Sequence, residues 1–186
     1  APWAQAITWT AIGEGSARSK NLERARAAEE KLAALRDAIA KQNNAYWSNQ
    51  VEVERREVAA WIAEQNGNPD DALKQARSAA ELEESMDKNA VTPGPVTPAR
   101  EMLAELLLLE HQPKASLVEY QSVLKVAPNR FNALYGAGSA AEASGDASAA
   151  GSYFQKLTEV AVGDERPDLK MACEKLLTEK ATAQQP

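Results

Sequence analysis

Thr97–Arg130 reads TPAREMLAELLLLEHQPKASLVEYQSVLKVAPNR, and Phe131–Asp164 reads FNALYGAGSAAEASGDASAAGSYFQKLTEVAVGD. Laid one on the other without a gap, the two stretches are offset by 34 residues. Gly145-Asp146 falls on His111-Gln112, Phe154 on Tyr120, Leu157 on Val123 and Gly138 on Ala104. Turn falls on turn, aromatic on aromatic and small residue on small residue. Self-similarity at a fixed period marks a unit that buries its apolar face only by stacking on its neighbours. A further copy begins near Val53, with its turn at Gly67-Asn68 and small residues at Ala72, Ala76 and Ala79. Another begins near Ala6 and runs through Trp9, Ile12-Gly13, Ala25 and Leu32.

Within each copy the apolar residues recur at three and four: Leu32, Leu35, Ile39; Leu103, Leu106, Leu107; Leu117, Tyr120, Leu124. That is the spacing of one face of an α-helix. β-branched residues never alternate with polar ones over a useful length, so nothing reads as a strand. Turn signals stand at Asn66-Gly67-Asn68-Pro69, Pro93-Gly94-Pro95, Gln112-Pro113, Pro128-Asn129, Gly145-Asp146 and Gly163-Asp164. Asn68 can accept from free amides, Pro69 suits the first helical position, and Asp70 and Asp71 complement the helix dipole. Thr97-Pro98 and Asp146 are similar starts. The pattern predicts helices at about 3–18, 21–42, 44–65, 69–86, 97–110, 113–126, 130–144, 146–161 and 167–181, followed by a tail over 182–186. Helices joined by turns this short lie antiparallel as hairpins. The 37 alanines among 186 residues suit helices that approach closely.

Charge and chemistry narrow the function. Lys+Arg is 21 and Asp+Glu 27, a net charge of -6. A globally acidic chain is a poor binder of nucleic acid or of an anionic membrane. No stretch approaches the roughly 20 apolar residues that span a bilayer. One cysteine, Cys173, excludes an internal disulfide, and one histidine, His111, excludes schemes that need two imidazoles. The chain opens Ala1-Pro2-Trp3 with no visible signal peptide. That start fits methionine removal, a mature secreted chain or a piece of a longer protein; the repeats favour the last.

The pattern resembles the tetratricopeptide repeat (TPR), a 34-residue helix–turn–helix with W-x2-L-G-x2-Y followed by Ala, Phe, Ala and Pro. Trp9, Ile12 and Gly13 match in the first copy, Tyr120 and Pro128 in the third, and Gly145, Ala150 and Phe154 in the last. Val91–Pro95, Thr97–Glu101 and Asn129–Ala137 are also similar to the C-terminal TPR segment of large bacterial TPR proteins, which carry further repeats upstream. The resemblance implies an all-α fold: an α-solenoid of about four TPR-type hairpins with a C-terminal capping helix. It spans one domain over 1–181, with repeats near 6–52, 53–96, 97–130 and 131–164 and the cap at 167–181. The repeat starts at 6, 53, 97 and 131 leave gaps of 47, 44 and 34 residues. The first excess should lengthen the helices at 21–42 and 44–65, and the second is the loop Asp87–Val96. The second copy departs from the pattern, with Arg56 and Ala59-Ala60 where the first has Trp9 and Ile12-Gly13. In the closing helix Leu169, Ala172, Cys173, Leu176 and Leu177 read as the apolar side, and Lys170, Glu174, Lys175, Glu179 and Lys180 as the polar one.

TPR proteins generally bind peptides or protein segments on a concave face lined by the first helix of each repeat. The resemblance places Ile7, Thr10, Glu14 and Arg18 in those slots, then Glu54, Glu57, Trp61 and Glu64, then Glu101, Glu105 and Leu108, then Asn132, Tyr135, Ser139 and Glu142. Acids dominate, which implies a basic peptide or protein segment anchored on Trp61 and Tyr135. The alternative is a solvated helix face with local ion pairs such as Glu52 to Arg56 and Glu54 to Arg55, since exposed charges are individually worth little. TPR proteins that clamp a chaperone's C-terminal carboxylate use lysine, asparagine and arginine in these slots, so that partner class does not fit.

The other constellations carry no chemistry. His111 occupies the turn slot of Gly67 and Gly145 and reads as a helix C-terminal cap whose imidazole meets free carbonyls. It lacks the spaced partners of a metal site. Asp70-Asp71 and Glu81, Glu83, Glu84 lack the glycine-centred loop of a calcium site. Cys173 reads as a small buried hydrophobe. Trp3, Trp9, Tyr46, Trp47 and Trp61 read as core of the long first helices, or else as a face that docks against further repeats. Gly136-Ala137-Gly138 serves close helix approach. No catalytic set, metal or cofactor is expected, and the reading is a non-enzymatic protein–protein scaffold. Two alternatives stay open: the docking or regulatory segment of a larger bacterial enzyme, and a self-associating structural repeat.

Overall fold

The computed structural model describes residues 2–87, 95, 97–163 and 166–183. They form α1 (Pro2–Arg18), α2 (Leu22–Ala40), α3 (Ala45–Gln65), α4 (Pro69–Ser85), α5 (Ala99–Leu109), α6 (Pro113–Val126), α7 (Phe131–Ala143), α8 (Ala147–Val160) and α9 (Pro167–Ala183). Among the described residues there is no strand, and every helix edge lies within two residues of its sequence-based expectation. Most of the loop Asp87–Val96, the end of the tail and the side chains of Leu177, Glu179 and Lys180 lie outside the described residues.

The helix edges follow from side-chain chemistry. Asn21, Asn44 and Asp146 accept from the amides of Arg24, Trp47 and Ala149 at 3.2, 3.3 and 2.9 Å, and Pro69 and Pro113 open α4 and α6. Four helices end on the same turn. In α1 it falls at Lys20 (φ 64°), with the Asn21 amide reaching the Ser16 carbonyl at 2.8 Å. In α3, α5 and α7, Gly67, His111 and Gly145 adopt φ of 72°, 56° and 87°. The amide of the next residue then reaches back to the carbonyl five before it: Asn68 to Ala63, Gln112 to Leu107 and Asp146 to Ala141, at 3.0, 2.8 and 3.0 Å. These are the bonds of a Schellman cap. His111 thus caps through its backbone, its amide donating to Leu108 at 3.2 Å. This corrects the expected role of its imidazole, which is exposed.

The chain divides into two compact units, Ala1–Leu103 and Ala104–Pro186, with the division inside α5. In the first unit α1 packs on α2, α2 on α3 and α3 on α4, and α1 also packs directly on α3. First helices of successive hairpins are therefore neighbours, as in a TPR. Gly13 makes this possible: a Cβ there would lie 2.7 Å from Val58 Cγ2 and 3.3 Å from Ala28 Cβ. Ala17, Ala25, Leu32, Val51, Val58 and Ala76 fill the interior. As the repeat spacing requires, α2 and α3 have 19 and 21 residues, against 11 to 14 in α5 to α8. Of the N-terminal aromatics Trp61 is core, whereas Trp3, Trp9, Tyr46 and Trp47 are half-buried, with Trp3 stacked on Trp47 at 4.5 Å between ring centroids.

In the second unit α6 packs on α7, α7 on α8, α8 on α9, and α7 also meets α9. The sequence offset has a direct physical counterpart. Ala104 packs with Tyr120 in one core cluster, and a Cβ on Gly138 would lie 2.5 Å from Phe154. In the last repeat a small residue on the first helix receives an aromatic ring from the second, while the Tyr120 ring, in one cluster with Ala104, also lies against Gly136 of α7, where a Cβ would be 2.1 Å from its Cζ. Ser116 Oγ, fully buried, donates to the Ala104 carbonyl at 2.7 Å and ties α6 to α5. Leu169 and Ala172 close α9 over Leu134, Phe154 and Leu157. Cys173 is exposed, against expectation. Each helical residue turns about 100° from the last. With Leu169, Ala172 and Leu176 facing the core, Cys173 swings to solvent.

Candidate functional site

The first-helix slots of unit 1 come together where α1 meets α3. Thr10 Oγ1 lies 2.9 Å from the Ala6 carbonyl and 3.1 Å from Glu54 Oε2, so its one proton serves both acceptors. Burial pushes the Glu54 carboxyl up to about 7, against the Thr10 hydrogen bond and aided by the charge of Glu14. Glu57, one turn further along α3, is 2% exposed. Burial first, then the charges of Glu14, Glu83 and Glu54, raise its carboxyl well above the ordinary 4.5. Its Oε1 has no hydrogen-bond partner among the described residues. Glu14 is 9% exposed. Four carboxyl groups from three helices thus influence one another in a poorly hydrated place, where charge is expensive to hold.

Trp61 continues the same face of α3. It is 2% exposed, its ring lies 3.9 Å from the Arg18 guanidinium, and its Nε1 has no acceptor among the described residues. Glu64 is half-buried, and Glu101, the α5 slot that belongs to this unit, is buried. The opposite face of α3 is organised differently. Glu52 accepts from Arg36 at 2.7 Å, Arg55 at 2.9 Å and Arg56 at 2.8 Å. Burial works to raise its carboxyl, but these bonds outweigh burial and hold it at about 2. The expected Glu52–Arg56 pair is present. The Glu54–Arg55 pair is not: Arg55 binds Glu52 and Glu29, while Glu54 turns to Thr10. Successive helical residues do not face each other.

In unit 2, Glu105, Leu108 and Tyr135 are half-buried, and Asn132 and Glu142 are exposed. Three of these slots engage their own chain. Arg166 Nη2 donates to Asn132 Oδ1 at 3.0 Å, Tyr135 Oη to Met171 Sδ at 3.9 Å, and Lys175 Nζ to Glu142 Oε2. The residue that sequence reasoning missed is Glu83, which stands on a second helix and enters the cluster from α4. The only signal for it was the acidic run at Glu81, Glu83, Glu84. No group of three or more His, Cys, Asp or Glu among the described residues is arranged to hold a metal ion. No helix among them is long and apolar enough to cross a membrane.

Hairpin order, neighbouring first helices and the small-against-aromatic packing at a 34-residue offset define an all-α, TPR-like helical repeat. No family model matches the chain, and no curated protein matches it either. Among solved structures it is similar to the crystal structure of MamA protein, at 16% identity over 98% of each chain, with a TM-score of 0.49.

Proposed function

We propose that the chain is a non-enzymatic protein-binding module, and that a basic segment of a partner polypeptide seats on the α1–α3 face of unit 1. The observation that carries this reading is the convergence of Glu14, Glu54 and Glu57 beside Trp61, with α3's arginines turned to its other face. Glu54 and Glu64, half-buried on this face, supply attraction and register when ionised, and their sheltered position keeps that attraction from being screened as a surface pair would be. Glu64 extends the face by one turn, and Glu101, Glu105, Leu108, Asn132, Tyr135 and Glu142 hold the corresponding slots further along the chain.

The test is binding of the full chain to an array of arginine- and lysine-rich peptides set against acidic peptides of equal length. Retention of the basic set, falling as salt rises and weakened by Glu54→Gln with Glu64→Gln, is the expected result. Equal retention of both sets, or basic binding that the paired substitution leaves unchanged while circular dichroism shows a folded chain, would refute it. Glu57 and Glu101 are poor positions for a charge-reversal test, because both are buried.

A further inference from the structure

Resting on that reading, we infer that capture of the partner is coupled to protons: a guanidinium or ammonium group seated at Glu54 and Glu57 displaces a proton to solvent, so the site closes on its partner as pH rises through neutrality. The geometry has two independent parts. One is the carboxyl nest itself, in which Glu57 Oε1 is sealed, unpartnered and within the electrostatic reach of Glu14, Glu54 and Glu83. The other is Trp61 Nε1, on the next turn of the same helix, a sealed donor without an acceptor among the described residues. Glu57 and Trp61 stand one turn apart, about 6 Å of helix rise, so an unsatisfied acceptor and an unsatisfied donor on successive turns match a polypeptide that brings both an N–H cation and a carbonyl.

The groups around the nest are these. α1 contributes Glu14, Thr10 and, over the Trp61 ring, Arg18. α3 contributes Glu54 and Glu57, with Glu64 beyond Trp61. α4 contributes Glu83, whose Oε2 accepts from the Ala99 amide at 3.0 Å, and α5 brings buried Glu101. From α2, Arg36 binds Glu52 and Glu29 binds Arg55, on the other side of α3. In the empty nest a carboxyl keeps its proton, because burial and its acidic neighbours penalise the anion. An arriving cation supplies the compensating charge, and the proton leaves to bulk solvent.

The experiment uses the full chain and an oligoarginine peptide capped at both ends, so that the probe does not titrate between pH 6 and 8. Glu54 lies at about 7. If the bound form requires its anion, Kd falls about tenfold from pH 6 to pH 8 at constant ionic strength, with on the order of one proton released per peptide at pH 6. Calorimetry in two buffers of different ionisation enthalpy counts that proton in the unmodified chain. Glu54→Gln should bind more weakly, with a flattened pH profile. Tight binding with a flat profile and no proton release overturns the coupling and leaves the basic-partner reading standing. A pH dependence that survives undiminished in both Glu54→Gln and the double variant Glu54→Gln with Glu57→Gln also overturns it. No binding at either pH overturns the basic-partner reading, and the coupling with it.

Discussion

Replacing Glu54 by Gln removes a titrating group while keeping an acceptor for Thr10, and its effect on stability has a sign fixed by the structure. The folded carboxyl sits at about 7 and the ordinary value is 4.5. Below pH 4.5 the group is protonated in the folded and unfolded chain alike, so its contribution is fully present. Between 4.5 and about 7 the unfolded chain has released the proton while the folded chain retains it, so unit 1 loses stability with each step upward. Above 7 both forms are ionised and the loss is complete. A shift of this size corresponds to about 3 kcal/mol, as an upper figure for a partly sheltered side chain. Glu54→Gln should therefore leave stability unchanged near pH 4 and raise it progressively to about 3 kcal/mol above the parent at pH 8. Urea unfolding of the full chain followed by tryptophan emission is a selective assay, because Trp3, Trp9, Trp47 and Trp61 all belong to Ala1–Leu103. Parallel pH profiles for parent and variant, or a variant less stable at pH 8, would refute the account of a buried, proton-retaining nest.

Two further outcomes probe the repeat itself. Gly138→Ala places a methyl 2.5 Å from Phe154, which is fully buried, so thermal unfolding by circular dichroism should show a loss of about 1–3 kcal/mol despite alanine's better helix propensity; an equal or higher Tm would contradict the packing. His111 holds φ of 56°, so His111→Gly should stabilise the chain by about 1 kcal/mol in the same assay, and a destabilised variant would show that the imidazole contributes more than its backbone.

Much of this was legible in the sequence because each repeat writes its boundaries chemically. Asn68 and Asp146 sit where free amides need an acceptor, and Gly67 and Gly145 sit where the backbone turns left-handed. A small residue 16 positions before an aromatic, Ala104 before Tyr120 and Gly138 before Phe154, gave the packing as well as the period. Finer placement was less readable. Cys173 and Ala172 differ by one position, and the apolar stripe of α9 is broad enough to include either; only its neighbours decide which faces inward. Glu83 was passed over because slot assignment follows first helices, whereas a charge acts across whatever element lies beside it. The engagement of Asn132, Tyr135 and Glu142 by residues about one repeat later is a lateral relation, which no spacing within a single helix records.

Arg55 and Arg56, paired with Glu52 on one side of α3, and Glu54 and Glu57 on the other separate fixed charge from proton-retaining carboxyls across the width of a single helix. A helix with its side chains is about 10–12 Å across, close to the screening length in physiological salt. A transverse dipole therefore grows as Glu54 ionises with rising pH, and it then selects which flank a basic polypeptide drifts toward before the two surfaces touch. Dilute salt should accordingly quicken encounter more than it slows escape.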